Sequence, residues 1–415
     1  MVRSPARVFG AGLIGCLAFL LIGWSGLLVP SLIRSVKDTF GQSDAGMGVF
    51  YFVFAAIYAT SALGGGLVTE RLGRRAVLTA SAALLGGGLL TLGLAPSWEI
   101  FLLGAVPLGL GAGAIDGGVN GLFLDLHPAS RGRALNVVHV FFSLGALSAP
   151  LAVGRLVEGG VVWQAIVIGS GIAAAPVAAL FTIVEMPAGR RLRAAGSGPP
   201  ARPAGSPRGP HGRHVSIGRI GMPLLLLGFG IACYVASEVG VSNWLVRFLE
   251  PAPLTTATTA LALFWAGLTL GRLVSARIAD RFDHVAFTTA SVMAMSVALA
   301  GAILVPSLPA SIALFALCGF ASGPVFPMIV AIGGERYPDR SAAVSGFLSG
   351  VAVAGSVVYP PVMGFLSVTV GLTVAMLGNV VLGLLCAVAL LVAARTGPGR
   401  MPFSDRTPAT ENASG

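Results

Sequence analysis

The sequence has very little charge. Only 10% of its 415 residues are Asp, Glu, Lys or Arg, whereas 55% are hydrophobic and the mean hydropathy is +0.88. A soluble domain carries about a quarter charged residues. This composition therefore excludes a soluble protein and is typical of a chain that crosses a membrane several times.

Several chemical signatures are also missing. The four cysteines lie singly inside apolar stretches, without the spacing of a metal site, so we interpret them as small packing residues. The sequence contains neither His-Glu-x-x-His nor the phosphate-binding Gly-x-x-x-x-Gly-Lys-Ser/Thr, and Lys37 is its one lysine. We therefore expect no metal, no cofactor and no enzymatic activity.

Long apolar runs fill most of the chain. A helix needs about 20 residues to cross a bilayer core, and by this measure the sequence has twelve predicted spans. Their ranges are 8–33, 45–68, 75–95, 98–126, 133–157, 161–185, 219–249, 256–279, 285–306, 309–334, 341–368 and 370–394. The first run is too long for a signal-peptide core and has no clear cleavage site, so we interpret it as a retained helix.

The segment 186–218 divides these spans into six and six. It is rich in Pro, Gly and Arg and has almost nothing to bury, so we expect a flexible cytoplasmic linker between bundles at 1–185 and 219–394. The polar stretch 395–415 is expected to be a disordered cytoplasmic tail. The predicted fold is an all-α membrane protein of two pseudo-symmetric six-helix bundles.

Basic residues concentrate on one side of the predicted spans. With a cytoplasmic N-terminus, 22 of the 26 lie at inner segments, and only Arg34, Lys37, Arg155 and Arg247 lie outside. Because basic residues accumulate on the cytoplasmic side, we expect both termini in the cytoplasm and the protein in the cell membrane. This asymmetry explains the net charge of +10 without nucleic acid as a partner.

The two halves repeat at a constant offset of 210 residues, over the second to fifth and the eighth to eleventh spans. The matched sets are Glu70-Arg71 with Asp280-Arg281, Gly109 and Gly113 with Gly319 and Gly323, Asp125 and Pro128 with Glu335 and Pro338, and Gly145, Pro150 and Gly154 with Gly355, Pro360 and Gly364. Parallel six-helix repeats are typical of transporters whose solute site lies between the halves at mid-membrane.

The stretch "GLVTERLGRR" between the second and third spans resembles a motif of the major facilitator superfamily, Gly-x-x-x-Asp-Arg-x-Gly-Arg-Arg/Lys. The matching residues are Gly66, Glu70, Arg71, Gly73, Arg74 and Arg75, with Glu in place of Asp. The second copy keeps Asp280 and Arg281 but has Ala276 at the position of the first glycine. We expect these residues to gate the conformational change through ion pairs between helix ends, and Gly73 to allow a tight turn.

Other stretches resemble the fucose permease-type branch of that family, whose members are sugar:proton symporters. They are "YVASEVGVSNWLVRFL", "FWAGLTLGRL", "GPVFPMIVAIG", "LNVVHVFFSLG" and the pair Asp116 and Asn120 in the fourth span. The first span lacks the acid that those relatives carry there. The resemblance implies sugar transport driven by protons, with alternating access produced by rocking of the two halves.

Two carboxylates lie deep inside the predicted spans. Asp116 is nine residues from Asp125, and Glu238 is nine residues from Arg247, which places each acid about 13 Å from a helix end. An intramembrane acid is costly and is a candidate functional group by default. We expect each to carry a proton, bind solute hydroxyls, or both; the alternative is a protonated acid with a structural role.

Further polar and aromatic residues lie at similar depths. The additional candidates for solute binding are Asn120, Asn136, His139, Tyr234, Asn243, Trp24, Trp265 and Arg272. The tryptophan rings could stack on a sugar or pack in the core. His139 is also a candidate for proton coupling or for a bond between helices. Arg272 could pair with a carboxylate or extend its cation to the membrane surface.

The predicted function is proton-coupled symport of a sugar or similar small polar solute by a monomeric carrier. The alternative is proton-driven efflux of a drug or metabolite on the same fold. The stretch "GALSAPLAVG" in the fifth span partly matches a drug-antiporter motif, which favours efflux, whereas the fourth span has no arginine, which disfavours it.

Overall fold

The computed structural model describes residues 5–127, 131–184, 186 and 221–396. The helices of this part are α1 Pro5–Ser31, α2 Ile33–Phe40, α3 Asp44–Leu72, α4 Arg74–Leu94, α5 Trp98–Leu126, α6 Arg131–Glu158, α7 Trp163–Ile183, α8 Met222–Phe248, α9 Leu254–Ile278, α10 His284–Leu304, α11 Leu308–Ser322, α12 Val325–Arg336, α13 Ser341–Thr369 and α14 Leu372–Arg395. The predicted linker, except Met186, and the tail from residue 397 lie outside the described residues.

Twelve stretches of these helices are long and apolar enough to cross a membrane, as the hydropathy pattern predicted. Helices α1 to α7 form an N-terminal bundle, and α8 to α14 form a C-terminal bundle. The two bundles meet mainly along α3 with α13 and along α6 with α9. Lipid gives no hydrophobic drive for helix association, so these contacts depend on close van der Waals packing.

Two helices depart from the predicted spans. The first span ends at Ser31, and the separate short helix α2 follows it and ends at Gly41, whose φ is +62°. The tenth span, predicted as one helix over 309–334, is interrupted between α11 and α12 at Gly323 and Pro324. Proline lacks the N–H of a helix and its ring obstructs the preceding turn. The helix therefore breaks inside the membrane.

Close packing at two glycines makes the internal repeat visible. A Cβ on Gly113 would lie 3.0 Å from the Ala62 backbone nitrogen, and a Cβ on Gly323 would lie 2.5 Å from the Arg272 backbone nitrogen. Ala62 and Arg272 correspond under the 210-residue offset. Helix α5 thus packs on α3 as the α11–α12 pair packs on α9, and only glycine fits at either contact.

Candidate functional site

Asp116 lies between two hydrogen-bond donors. The Tyr58 hydroxyl donates to Asp116 Oδ2 at 2.8 Å, and Asn120 Nδ2 donates to Asp116 Oδ1 at 2.8 Å. The close contact of α5 with α3 brings Tyr58 to the acid, and Asn120 follows one helical turn later on the same face. Both carboxyl oxygens are therefore hydrogen-bonded, which lowers the cost of an acid at membrane depth.

The side-chain amide of Asn120 has an unused hydrogen-bond acceptor. Its Oδ1 is buried and has no hydrogen-bond partner within the described part of the chain. Asn120 is half-buried, as is Asp116. The pair Asp116 and Asn120, predicted from spacing alone, is thus brought together with Tyr58, and it offers a free acceptor to a donor on a bound molecule.

Tyr234 stabilises the break in the tenth span. Its hydroxyl donates to the Ser322 carbonyl oxygen at 2.9 Å, immediately before Gly323 and Pro324. A carbonyl left without its helical partner in the membrane needs another donor, and Tyr234 supplies one. The side chain is fully buried, so the predicted contact of Tyr234 with a solute is not available in this conformation.

Glu238 and Arg272 both interact electrostatically with Tyr234. Glu238 is half-buried, like Arg272. The ion pairs found within 4.0 Å among the described residues do not include Arg272, and its Nε is buried without a hydrogen-bond partner there. The carboxylate pairing considered for Arg272 is therefore not seen in this conformation.

Trp265 and Ser242 add two more unused polar groups. The Trp265 indole N–H and the Ser242 hydroxyl are buried and make no hydrogen bond within the described ranges. The Trp265 ring packs against Phe142 of the N-terminal bundle, with 5.8 Å between ring centroids, so it lies where the bundles meet. Buried polar groups are normally hydrogen-bonded, and unused ones at an interface are typical of a ligand site.

Asn136 and His139 are exposed on α6. The His139 ring packs edge-on against Phe19 at 5.3 Å, and His139 interacts electrostatically with Arg272 of the other bundle. Near the end of α6, a Cβ on Gly154 would lie 3.0 Å from the backbone of α9, which belongs to the C-terminal bundle. The two bundles therefore pack against each other at the end of α6, whereas its first half has accessible polar side chains.

Trp24 and Asn243 complete the predicted set. The Trp24 indole N–H donates to Ser170 Oγ at 2.9 Å within the N-terminal bundle, which leaves only its ring face for a solute. The backbone carbonyl of Asn243 accepts from the Tyr51 hydroxyl at 3.2 Å, across the two bundles. Asn243 thus lies at the junction of the bundles, nearer than Glu238 to the end of α8.

A charged cluster that we did not predict joins the bundles at one end. The carboxylate of Asp44, only 4% exposed, accepts from Lys37, from Arg247 Nε at 2.9 Å and from Ser367 Oγ at 2.5 Å. Lys37 and Asp44 belong to the N-terminal bundle, and Arg247 and Ser367 to the C-terminal one. We call this the Asp44 end of the protein; the charge distribution predicts that it faces outside.

Arg34 reinforces the same end. Its Nε and Nη2 donate to the Val246 carbonyl at 3.0 and 2.7 Å, and its Nη1 donates to the Ala252 carbonyl at 2.7 Å. Burial and the positive charge of Arg247 lower the pKa of the Arg34 guanidinium, and the three hydrogen bonds offset this cost. In the part of the chain that the structure describes, the hydrogen bonds between bundles all lie toward the Asp44 end.

The opposite end carries the repeated motif, and we call it the Arg74 end. Gly73 has a φ of +84° between α3 and α4, which confirms the predicted tight turn. Arg74, only 8% exposed, donates from Nη2 to Asp125 Oδ2 at 2.7 Å, and Arg75 donates to the Val184 carbonyl at 3.0 Å. These contacts lie within the N-terminal bundle, between helix ends as expected.

The remaining residues of the motif take less part in described contacts. Arg71 is exposed. Gly66 and Glu70 belong to α3, and the side chain of Glu70 lies outside the described part of the chain. In the second copy, Asp280 and Arg281 are exposed in a short 3₁₀ turn. Their gating role stays a prediction.

The ion pair of Arg74 and Asp125 has a counterpart in the other bundle. Under the 210-residue offset these positions become His284 and Glu335, and His284 Nδ1 lies 2.8 Å from Glu335 Oε1. The imidazole carries charge only when it is protonated. The N-terminal pair is therefore a fixed ion pair, whereas the C-terminal pair depends on the proton of a histidine.

The profile of the Major Facilitator Superfamily matches residues 13–252 and 226–413. The chain belongs to this superfamily. It is therefore a multi-pass membrane transporter, and the resemblance of "GLVTERLGRR" is confirmed.

The sequence of this chain is similar to those of other transporters. It is 21% identical over 358 residues to the uncharacterized MFS-type transporter YfkL of Bacillus subtilis, covering 84% of this chain and 87% of the relative. It is 27% identical over 165 residues to a glucose/galactose transporter of Brucella abortus, covering 37% of this chain and 38% of the relative.

Solved structures of superfamily members share the fold. A bacterial homolog of the human lysosomal transporter Spinster, in an inward-facing conformation, matches with a TM-score of 0.74 and 17% identity over 95% of this chain and 98% of its own. A D-xylose-proton symporter matches with a TM-score of 0.71 and 14% identity over 95% and 99%. At these identities the likeness concerns the fold alone.

Proposed function

We propose that this chain is a proton-coupled symporter of a sugar or a similar small polar solute. The observation that carries the proposal is the acid at membrane depth, Asp116, held by Tyr58 and Asn120 on the face where α5 packs on α3. The names of two similar proteins, a glucose/galactose transporter and a D-xylose-proton symporter, support a sugar as solute. The carrier acts as a monomer in the cell membrane, with both termini in the cytoplasm.

In the proposed cycle, Asp116 keeps its partners Tyr58 and Asn120, while the side of the membrane from which it is accessible changes. The bundles first open at the Asp44 end. A proton from that side then reaches Asp116 or Glu238, and the solute binds between α5, α6, α8 and α9. Rocking of the two bundles then closes the Asp44 end through Arg34, Lys37 and Arg247. The described conformation is closed there and accessible along the first half of α6, which fits an inward-facing state.

Efflux of a drug or metabolite is the second candidate. The stretch "GALSAPLAVG" in α6 favours it, because it partly matches the motif of drug antiporters. The same protonatable acids would then bind a proton as the solute leaves, so the direction of coupled proton movement separates the two candidates.

The test uses the full chain in weakly buffered liposomes, with monosaccharides, both neutral and acidic, added outside one at a time. Alkalinisation outside is expected with at least one sugar. The variant Asp116→Asn is expected to exchange that sugar but not to accumulate it, and Glu238→Gln to bind it more weakly. The control Glu99→Gln removes an exposed acid from the same helix α5 and should change neither property.

Normal uphill uptake by Asp116→Asn would remove Asp116 from proton coupling, and unchanged sugar affinity of Glu238→Gln would remove Glu238 from the site. If folded protein gives no response to any sugar but releases protons against cationic or amphipathic compounds, the efflux candidate replaces symport.

A further inference from the structure

We propose that the transported solute carries an anionic group, such as the carboxylate of a sugar acid, which Arg272 binds where the two bundles meet. The proposal rests on the proposed transport function and narrows its solute class. The observation behind it is an arginine at membrane depth that has no acidic partner among the described residues.

A charged arginine inside a membrane is costly and normally pairs with an acid or a carbonyl. Glu238 interacts electrostatically with Tyr234, as Arg272 does, but among the described residues it forms no ion pair with Arg272. The guanidinium Nε is buried without a partner in the described ranges. Its fork of donors matches a carboxylate in geometry, so an anionic group on the solute would supply the missing partner.

A second donor on the helix of Arg272 is also unused. The indole N–H of Trp265, on the same helix and only 7% exposed, has no hydrogen-bond partner in the described chain. His139 interacts electrostatically with Arg272 from the opposite bundle. A neutral sugar would leave the charge of Arg272 uncompensated, whereas a carboxylate satisfies it together with these donors.

The position of Arg272 connects binding with conformational change. Its backbone nitrogen would lie 2.5 Å from a Cβ on Gly323, at the break in the tenth span, and Tyr234 stabilises the same break through Ser322. His139 and Arg272 belong to different bundles. An anion held between them bridges the two bundles, as a solute must in a carrier that closes around it.

The chemistry also fixes the charge moved in each cycle. A proton carried on Asp116 or Glu238 together with one monocarboxylate transfers no net charge, whereas a proton with a neutral sugar transfers one positive charge. Titratable groups that interact with this cluster are Glu238, Tyr234, His139 and Cys318, and none of them supplies a second fixed cation.

The first experiment measures binding to the full chain in nanodiscs by thermal shift. The probes are two pairs matched in carbon skeleton, D-glucuronate with D-glucose and D-gluconate with D-glucitol. We expect stabilisation by at least one acid and by neither neutral partner. Arg272→Gln should weaken binding of that acid by about tenfold or more, and Arg272→Lys should weaken it less. Arg277→Gln removes an exposed arginine from the same helix and should have no effect.

Equal binding of a neutral sugar and its acid, retention of acid binding by Arg272→Gln, or failure of both acids to stabilise the protein would each overturn the proposal. Correct folding of each variant is checked by its melting temperature without ligand.

The second experiment separates this proposal from the proposed function. In liposomes, external pH and membrane current are recorded after addition of each probe. Alkalinisation without current for a sugar acid supports both proposals. Alkalinisation with current for a neutral sugar, unchanged in Arg272→Gln, keeps proton symport and overturns the anionic solute. Acid binding that depends on Arg272, without any proton movement, keeps the anionic solute and overturns symport.

Discussion

The two bundles share a backbone design but differ in their chemistry. In the N-terminal bundle, Gly113 brings α5 against α3, and the acid Asp116 takes a hydrogen bond from Tyr58 across that contact. In the C-terminal bundle, Gly323 makes the same contact with α9, but the positions equivalent to Tyr58 and Asp116 are Leu268 and Phe326. The polar groups of that bundle lie elsewhere, on α8 and at Arg272.

This difference separates the residues that build the fold from those that carry function. Residues repeated at the 210-residue offset are glycines and prolines of helix contacts and charged residues at helix ends. The intramembrane polar residues break the repeat: Glu238 corresponds to Leu28, and Arg272 to Ala62. A membrane-depth position that is polar in one half and apolar in the other is thus a candidate functional position on this fold.

The largest expected effect comes from the acid that joins the two bundles. Asp44→Asn removes the negative charge to which Lys37 and Arg247 both donate. We expect this to destabilise the conformation closed at the Asp44 end by about 3 kcal/mol. The ratio of closed to open molecules should then fall by about a hundredfold. Spin labels at Asp38→Cys and Pro251→Cys, both exposed at this end, should report a longer distance in the variant.

The matched control is Glu99→Gln, an exposed acid near the same end of the N-terminal bundle. An unchanged distance distribution in Asp44→Asn, with the control also unchanged, would show that this cluster does not hold the bundles together.

The next largest effect contrasts two tyrosines. Tyr58→Phe removes a hydrogen bond to the charged form of Asp116, worth about 1.5–3 kcal/mol, and should shift the pH dependence of solute accumulation upward because the protonated acid is favoured. Tyr359→Phe removes a bond to the Ala375 carbonyl and should lower thermal stability with little change in that pH dependence. Identical pH profiles for wild type and Tyr58→Phe would contradict the assignment.

A smaller effect is expected at the glycines that define the repeat. Gly113→Ala and Gly323→Ala each place a Cβ against backbone atoms. Each variant should lower the free energy of unfolding by about 1–3 kcal/mol and should lower the melting temperature of the protein to a similar extent. Gly87→Ala in α4 meets no atom within 4 Å and should leave stability equal or slightly higher. A loss of stability in only one of the two variants would argue against equivalent packing in the two bundles.

The smallest effect concerns the pairs at the Arg74 end. Arg74→His would make the N-terminal pair depend on protonation like His284 with Glu335, and His284→Arg would make both pairs permanent. Each change is expected to alter stability by about 1 kcal/mol or less, with a loss at alkaline pH for Arg74→His. Melting temperatures measured across pH for the two variants check this, and parallel pH curves would refute it.

The sequence predicts most of the fold and only part of the site. Twelve spans and the repeat follow from hydropathy and glycine spacing, and the turn at Gly73 follows from the motif. The break at Pro324 was missed, although proline in mid-span was its available signal. Pro150 and Pro176 lie inside uninterrupted helices, so proline alone does not decide where a span breaks.

Contacts between distant residues could not be predicted. Tyr58 and Asp116 are 58 residues apart, and Asp44 and Arg247 are 203 apart. Periodicity along one helix places Asp116 beside Asn120, but it holds no information about which neighbouring helix faces them. Asp44 also begins a helix close to a loop, where an acid is ordinary, so its burial between two cations depends on how the bundles assemble.

The scarcity of lysine has a practical consequence for the Asp44 cluster. Lys37 is the one lysine of the chain, and its amine is bound to Asp44 at the junction of the bundles. Acylating reagents react with a free, unprotonated amine, so opening of this end should expose a single internal labelling site. The native protein therefore contains its own chemical reporter of gate opening, readable by peptide mass spectrometry without introduced cysteines.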